Sequence, residues 1–162
     1  MSGCFALIVG AGRSDRFGGD LPKQYSTLVG LPIFYRTVAT FLSHPGISGV
    51  QTVIHPADKD LYENTVEKLS SPKLLLPVYG GATRQASVRL GLESLIVRDP
   101  EIVLIHDAAR PFVSHETINR VIDGLGSSKG AIAATPINDT LKKRIQPSQF
   151  LNFSHVDQLG CF

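Results

Sequence analysis

The chain has 162 residues, 43% hydrophobic and 19% charged, with a formal net charge of +2. That apolar share can bury a core, which excludes wholesale disorder, and the length suits one domain or one domain with a tail. So small a charge, with no block of like charges, argues against a nucleic-acid surface, and no apolar run approaches a bilayer span. Cys4 and Cys161 stand at opposite ends and make neither a disulfide framework nor a zinc cluster. With no basic leader or cleavage site in view, a soluble, cytoplasmic protein is expected, with no nucleic-acid or membrane partner.

The elements follow in order. Cys4–Val9 is a continuous apolar run that predicts a strand buried on both faces, and it enters a loop, Gly10–Lys23, rich in glycine and charge. Pro32–Leu42 predicts a helix ended near Pro45-Gly46, and Val50–Ile54 a second strand closed by His55-Pro56. Ala57–Leu69 predicts a helix with Leu61, Val66 and Leu69 as its apolar positions. Leu74–Val78 predicts a third strand, interrupted by Pro77. After Gly80-Gly81, Thr83–Leu95 predicts a helix whose apolar positions are Val88, Leu92 and Leu95. Ile102–Ile105 predicts a fourth strand, Ser114 caps a helix running to about Leu125, and Ala131–Thr135 predicts a fifth strand. This alternation predicts an α/β domain over residues 1–136: a Rossmann-like, mostly parallel twisted sheet with helices on both faces. From Ile137 the apolar periodicity is lost, and residues 137–162 predict an extended arm or hairpin that cannot bury itself alone.

Ligands of open α/β sheets bind at the carboxyl ends of the strands. Three segments should meet there. The first is Gly10-Ala11-Gly12 with the cations Arg13, Arg16 and Lys23, whose free backbone N–H groups and charges suit phosphate oxygens. A solvated turn is the plainer alternative. A Walker A string is absent, and a dinucleotide fingerprint fails because Asp15 stands where the third glycine belongs. No Asp or Glu occurs between Leu21 and Ala57, where an NAD ribose would need one. The second segment is Gly80-Gly81 opening a helix, suited to an anion or the polar edge of a base, or else a simple strand-to-helix turn. The third is His106-Asp-Ala-Ala-Arg-Pro111: Asp107 can offer oxygen to a phosphate-bound Mg²⁺, Ala108 leaves room for a sugar, and Arg110 can fork onto an anion. An Asp–Arg pair that merely fixes the loop is the alternative. His44, His55, His115 and His155 are scattered without metal-ligand spacing and predict surface or capping residues. No nucleophile for acyl transfer is visible.

The residues Gly10-Ala-Gly12, Arg16, Pro22-Lys23, Gly80-Gly81, Arg84, Ser87-Val88, His106–Pro111 and Asp139-Thr140-x-Lys142 follow one pattern in order and spacing. In them the chain resembles the 2-C-methyl-D-erythritol 4-phosphate cytidylyltransferase family over roughly residues 4–145. Some members of that family are the N-terminal domain of a bifunctional enzyme. The resemblance implies a nucleotidyltransferase-type sheet with an extended dimerisation arm, and transfer of the cytidylyl group of CTP to methylerythritol phosphate with release of pyrophosphate. It implies Arg16 and Lys23 as catalytic cations on the triphosphate, and Gly10, Ala11, Gly12, Gly80, Gly81, Ser87, Asp107 and Ala108 around the nucleotide. Asp107, Arg110 and Thr140 would contact the substrate, Thr140 from the partner subunit of a homodimer, and Asp107 would also hold Mg²⁺ or another divalent cation.

The chain departs from the family pattern at Gly10, usually alanine, at Ser14, usually glycine, and at Gln158, where an arginine serves the substrate phosphate. The segments that follow the arm in the family have no counterpart before Phe162, so the arm is expected to be truncated and the active site short of residues. A cytidylyltransferase for another polyol phosphate, such as ribitol phosphate, and a nucleotide-binding or dimerisation fragment without turnover are the alternatives.

Overall fold

A computed structural model describes residues 3–12, 21–126, 128–134, 141–146 and 149–153. The chain divides into two compact units, residues 1–131 and 132–162. In the first, strand β1 (Cys4–Gly10) is followed by the short strands β2 (Thr27–Leu28) and β3 (Leu31–Pro32), helix α1 (Ile33–Ser43) and strand β4 (Ile47–Ile54). Then come α2 (Lys59–Val66), β5 (Val78–Tyr79), α3 (Arg84–Leu95), β6 (Ile102–Asp107) and α4 (His115–Asp123). The second unit holds an antiparallel hairpin of β7 (Leu141–Gln146) and β8 (Gln149–Phe153).

The main sheet has the order β5-β4-β1-β6, and every pairing in it is parallel. A central parallel strand is covered on both faces, which is why β1 is apolar without alternation. Ala6, Leu7 and Ile8 are wholly buried. On one face Ala6, Ile8, Val50 and Ile54 pack against Phe34, Val38 and Phe41 of α1, with Tyr62 of α2 and Ile118 of α4. On the other, Leu7 and Val53 lie under α3. The expected α/β layering with helices on both faces is therefore present.

Three expectations are corrected. The third strand is reduced to a single bridge at Leu74 and pairing at Val78–Tyr79, because Pro77 has no N–H to give a ladder. Residues 131–134 form no strand; their one large side chain, Ile132, is 68% exposed, and a run of alanines has little area to bury. Of the apolar positions expected on α3, Leu95 is buried and Val88 packs against Leu7 and Val53, but Leu92 is exposed, and Ser87 and Gly91 take the inward face instead. A β-carbon on Gly91 would stand 2.5 Å from Leu7 and 2.8 Å from Val53, so the helix sits too close for a larger residue there. His44 is a capping residue, as expected: it is the C-cap of α1, buried there, its Nδ1 accepting from the Gly46 amide and its Nε2 bonded to Asn119 Oδ1 of α4. Its neighbour His115 stacks edge-on against it, and His55 does cap its turn, accepting from the Ala57 amide. Among the described residues no helix is long and apolar enough to cross a membrane.

The hairpin of β2 and β3 left no mark in the sequence pattern. Its turn residues Val29 and Gly30 both have positive φ, 49° and 78°. That is the pattern of a two-residue primed turn, which favours Asn-Gly and is strained for a β-branched residue. Arg36 holds it, Nε donating to the Leu28 carbonyl at 2.8 Å and Nη2 to Val29 at 2.7 Å. Because Val29 is 86% exposed, Val29→Asn loses no packing. It is expected to raise stability by about 1 kcal/mol in urea denaturation; an unchanged or lowered midpoint would contradict the strain.

Candidate active site

The parallel pairing brings the carboxyl ends of four strands to one edge. Gly10 stands opposite Ile54 of β4, and Val9 opposite Asp107 of β6. The Gly80 amide donates to the Ile54 carbonyl at 2.8 Å, and the Ala108 amide to the Val9 carbonyl at 2.9 Å. The predicted convergence of Gly10–Gly12, Gly80-Gly81 and Asp107–Arg110 is thus built by backbone hydrogen bonds across the sheet end.

Small residues make that convergence tight. A β-carbon on Gly80 would collide with the Ala11 methyl, so the Gly80 backbone of the second loop lies directly on the Ala11 side chain of the first. A β-carbon on Gly10 would lie 2.6 Å from the Phe34 ring and 3.0 Å from the Ala108 methyl. Glycine at position 10 is therefore a packing requirement here: Phe34 is wholly buried, stacked on Tyr25 at 5.5 Å, and fills the space that an alanine methyl would need.

Four polar side chains clamp the loops, and the sequence pattern singled out none of them in that role. Gln24, buried beside Lys23, donates from Nε2 to the carbonyls of Gly10 at 2.8 Å and Gly12 at 3.3 Å. Lys23, exposed, is thereby carried next to the first loop on the turn Lys23–Tyr25. Thr37 of α1 donates to the Ala108 carbonyl at 2.8 Å. Ser87 is buried; its hydroxyl accepts from the Gly81 amide at 3.1 Å and donates to the Thr83 carbonyl at 3.0 Å. It shapes the glycine turn instead of standing open to a ligand. His106, which with Asp107 ends β6 and does not begin the loop as expected, donates from Nε2 to the Arg110 carbonyl at 2.9 Å. A glutamine one residue after a lysine, or a threonine inside a helix, carries no periodic or motif signal.

Asp107 is the electrostatic centre of the edge. Arg84 Nη2 meets its Oδ1 at 2.9 Å, and Arg110 Nε meets its Oδ2 at 3.0 Å. A Mg²⁺ site takes one or two carboxylates besides phosphates and water. Both oxygens of Asp107 are engaged by guanidinium groups, and the described residues contain no cluster of three His, Cys, Asp or Glu. As arranged, the residues do not fit a protein-held divalent cation. The predicted residues Arg16 and Thr140 lie outside the described residues, as do Arg13, Ser14, His155 and Gln158.

A parallel α/β sheet whose glycine loops meet at its carboxyl edge beside lysine and arginine defines a nucleotidyltransferase-type domain. A family model described as 2-C-methyl-D-erythritol 4-phosphate cytidylyltransferase, IspD, matches residues 4–155, and the chain belongs to that family. Among curated relatives, the bifunctional enzyme IspD/IspF of Rhodospirillum rubrum is 55% identical over 138 residues, covering 85% of this chain and 35% of that protein. The bifunctional enzyme IspD/IspF of Paramagnetospirillum magneticum is 52% identical over 143 residues, covering 88% of this chain and 36% of that protein. The chain thus spans about a third of the length of these relatives. The solved 4-diphosphocytidyl-2C-methyl-D-erythritol synthase of Anaerococcus prevotii superposes with a TM-score of 0.76 at 28% identity, covering 95% of this chain and 64% of that one.

The His106 clamp has a pH signature. Burial, above all, holds its imidazole below the ordinary histidine range, offset in part by the Arg110 carbonyl and the Asp107 charge. With the folded pKa below the unfolded value of about 6.5, the unfolded chain binds the proton first on acidification. The stability His106 contributes is full above pH 6.5 and declines as pH falls from there towards the folded pKa. The wild type should exceed His106→Gln by about 1 kcal/mol at pH 7.5, with a smaller margin at pH 5.5. A margin that grows on acidification, measured by urea denaturation, would reverse the assignment.

Proposed function

We propose that the chain carries the cytidylyl-transferring site of its family: the α-phosphate of CTP is passed to the phosphate of 2-C-methyl-D-erythritol 4-phosphate, and pyrophosphate leaves. The observation that carries this reading is the contact of the Gly80 backbone with Ala11, just past the end of β1 and two residues on from Val9, which stands level with Asp107. It joins a phosphate-suited glycine loop to a helix-opening turn suited to the polar edge of a base.

The chemistry asks little of a general base. The substrate's phosphate oxygen is ionised at neutral pH, so catalysis reduces to holding two anions in line and offsetting charge on the α-phosphate and the leaving pyrophosphate. In this reading Lys23 and Arg16 supply that charge, and the backbone of Gly10, Ala11 and Gly12 lies along the nucleotide. Backbone groups of Gly80 and Gly81 read the cytosine edge, with Ser87 holding the turn in shape. The backbone at Ala108, whose methyl is buried against Gly10, runs beside the ribose, Asp107 accepts from sugar hydroxyls, and Arg110 reaches the substrate phosphate. Thr140 would contact the substrate in a partner subunit, through a homodimer built on the 137–162 arm. A divalent cation such as Mg²⁺ would enter on the phosphates of the nucleotide, since both oxygens of Asp107 are engaged by Arg84 and Arg110.

Calorimetric titration with CTP and Mg²⁺, followed by pyrophosphate release with methylerythritol phosphate, tests the reading. Lys23→Ala and Arg16→Ala are each expected to lower kcat/KM by about 10²-fold or more. Near-normal rates in both would remove their assigned roles. Faster turnover of ribitol phosphate would move the reading to another polyol phosphate. Binding of CTP without turnover would leave a nucleotide-binding module, and absence of binding would end the nucleotide reading.

A further inference from the structure

Arg84 occupies the first position of α3, a helix with no acidic residue in its first turn. A cation at a helix N-terminus opposes the positive end of the helix dipole. The helix itself therefore gives no electrostatic reason for an arginine at that position. The compensating charge comes from 23 residues away: Nε and Nη2 of Arg84 both donate to Asp107 Oδ1, at 3.2 and 2.9 Å. Oδ2 of the same carboxylate is taken by Arg110. One carboxylate at the end of β6 is thus divided between two guanidinium groups, one from the glycine turn that opens α3 and one from its own loop.

We propose, resting on the function proposed above, that Arg84 is a positioning residue. It fixes the Asp107 carboxylate as an acceptor for sugar hydroxyls while cancelling its charge towards the phosphates of the nucleotide. A bare carboxylate in a pocket for polyanions repels them through a partly desolvated medium. Set between two guanidinium groups, the same carboxylate belongs to a unit of net charge +1, held at Oδ1 by two nitrogens of Arg84 and at Oδ2 by Nε of Arg110. The arrangement also ties the turn at Gly80-Gly81 to the end of β6, so the base-facing and sugar-facing parts of the site hold one spacing. Arg84 does this through Asp107, without itself touching the reacting atoms.

The test is a double-mutant cycle of Arg84→Gln and Asp107→Asn, read by calorimetry with two probes, CTP·Mg²⁺ and uncharged cytidine. Arg84→Gln is expected to weaken CTP about tenfold and cytidine about threefold: both probes carry the ribose whose acceptor is no longer fixed, and only the phosphates also feel the uncovered charge. In the Asp107→Asn background the same change should move cytidine affinity less than about twofold, since no carboxylate is left to position. Arg84→Lys, which keeps the charge and loses the fork, should recover part of the CTP affinity. An equal loss for cytidine in both backgrounds would mean that Arg84 does not act through Asp107 and would overturn the proposal. A loss for CTP with none for cytidine would make Arg84 a phosphate-facing charge alone, and overturn it too. Failure of the wild type to bind either probe would end the nucleotide reading, and hydrogen exchange then judges Arg84 without a ligand. Residues 80–87 should exchange faster, and to the same extent, in Arg84→Gln and Asp107→Asn; unchanged exchange overturns the positioning role.

Discussion

The backbone of β1 is paired on both sides, to β4 and β6, and the whole edge of the sheet stands on that pairing. All its pairings are parallel, so the carboxyl ends of the strands have no choice but to open at one edge. The register then decides which residues meet: Gly10 with Ile54, and Val9 with Asp107. A slip of one residue would turn Asp107 to the other face of its strand and break the bonds from Gly80 and Ala108. The wholly buried Ala6, Leu7 and Ile8 prevent that slip, because no register shift leaves both faces equally packed.

Around that frame the division of labour is by polarity. The buried polar groups, Gln24, Thr37 and Ser87, spend their hydrogen-bonding capacity on loop backbone. Each such bond is worth about 0.5–1.5 kcal/mol net, but an orphaned partner costs more, so these contacts hold shape more firmly than their net strength suggests. The charged groups, Lys23, Arg84 and Arg110, stay at the exposed side of the same edge. Rigid backbone beneath and solvated cations above is the arrangement that phosphoryl chemistry needs, because positioning and charge do most of the catalytic work there. The Arg84–Asp107–Arg110 unit joins the two layers, since its carboxylate belongs to a strand and its guanidinium groups to the loops.

Close approach is the second theme. Glycine at positions 10, 80 and 91 lies where a methyl group would meet Phe34, Ala11 or Leu7. Helices α1 and α3 therefore sit low on the sheet, and at its edge the Gly80 backbone lies on the Ala11 methyl. This also explains why α3 sets Ser87 and Gly91 against the sheet beside Leu95 and leaves Leu92 in solvent. The face a helix buries is set by its distance from its neighbour as well as by the hydropathy of its residues.

Much was legible in the residues alone. Apolar runs placed β1, β4 and β6, and periodicity with caps placed α1, α3 and α4. Glycine, lysine and the His106–Arg110 string marked the three loops and carried the family resemblance. These signals are local, written within one element or one turn. The hairpin at Val29-Gly30, the buried His44, the loss of the strand expected at Ala131–Thr135 and the clamps by Gln24 and Thr37 were not legible. Each depends on a partner brought close by folding, up to 75 residues away for His44 and Asn119, and such pairs leave no period in the chain. The sequence by itself determined an α/β nucleotide-type sheet and the residues brought to its edge. Only the tertiary structure decided that Asp107 is shared by two arginines, because a carboxylate's partners are set by what the fold places within 3 Å of it.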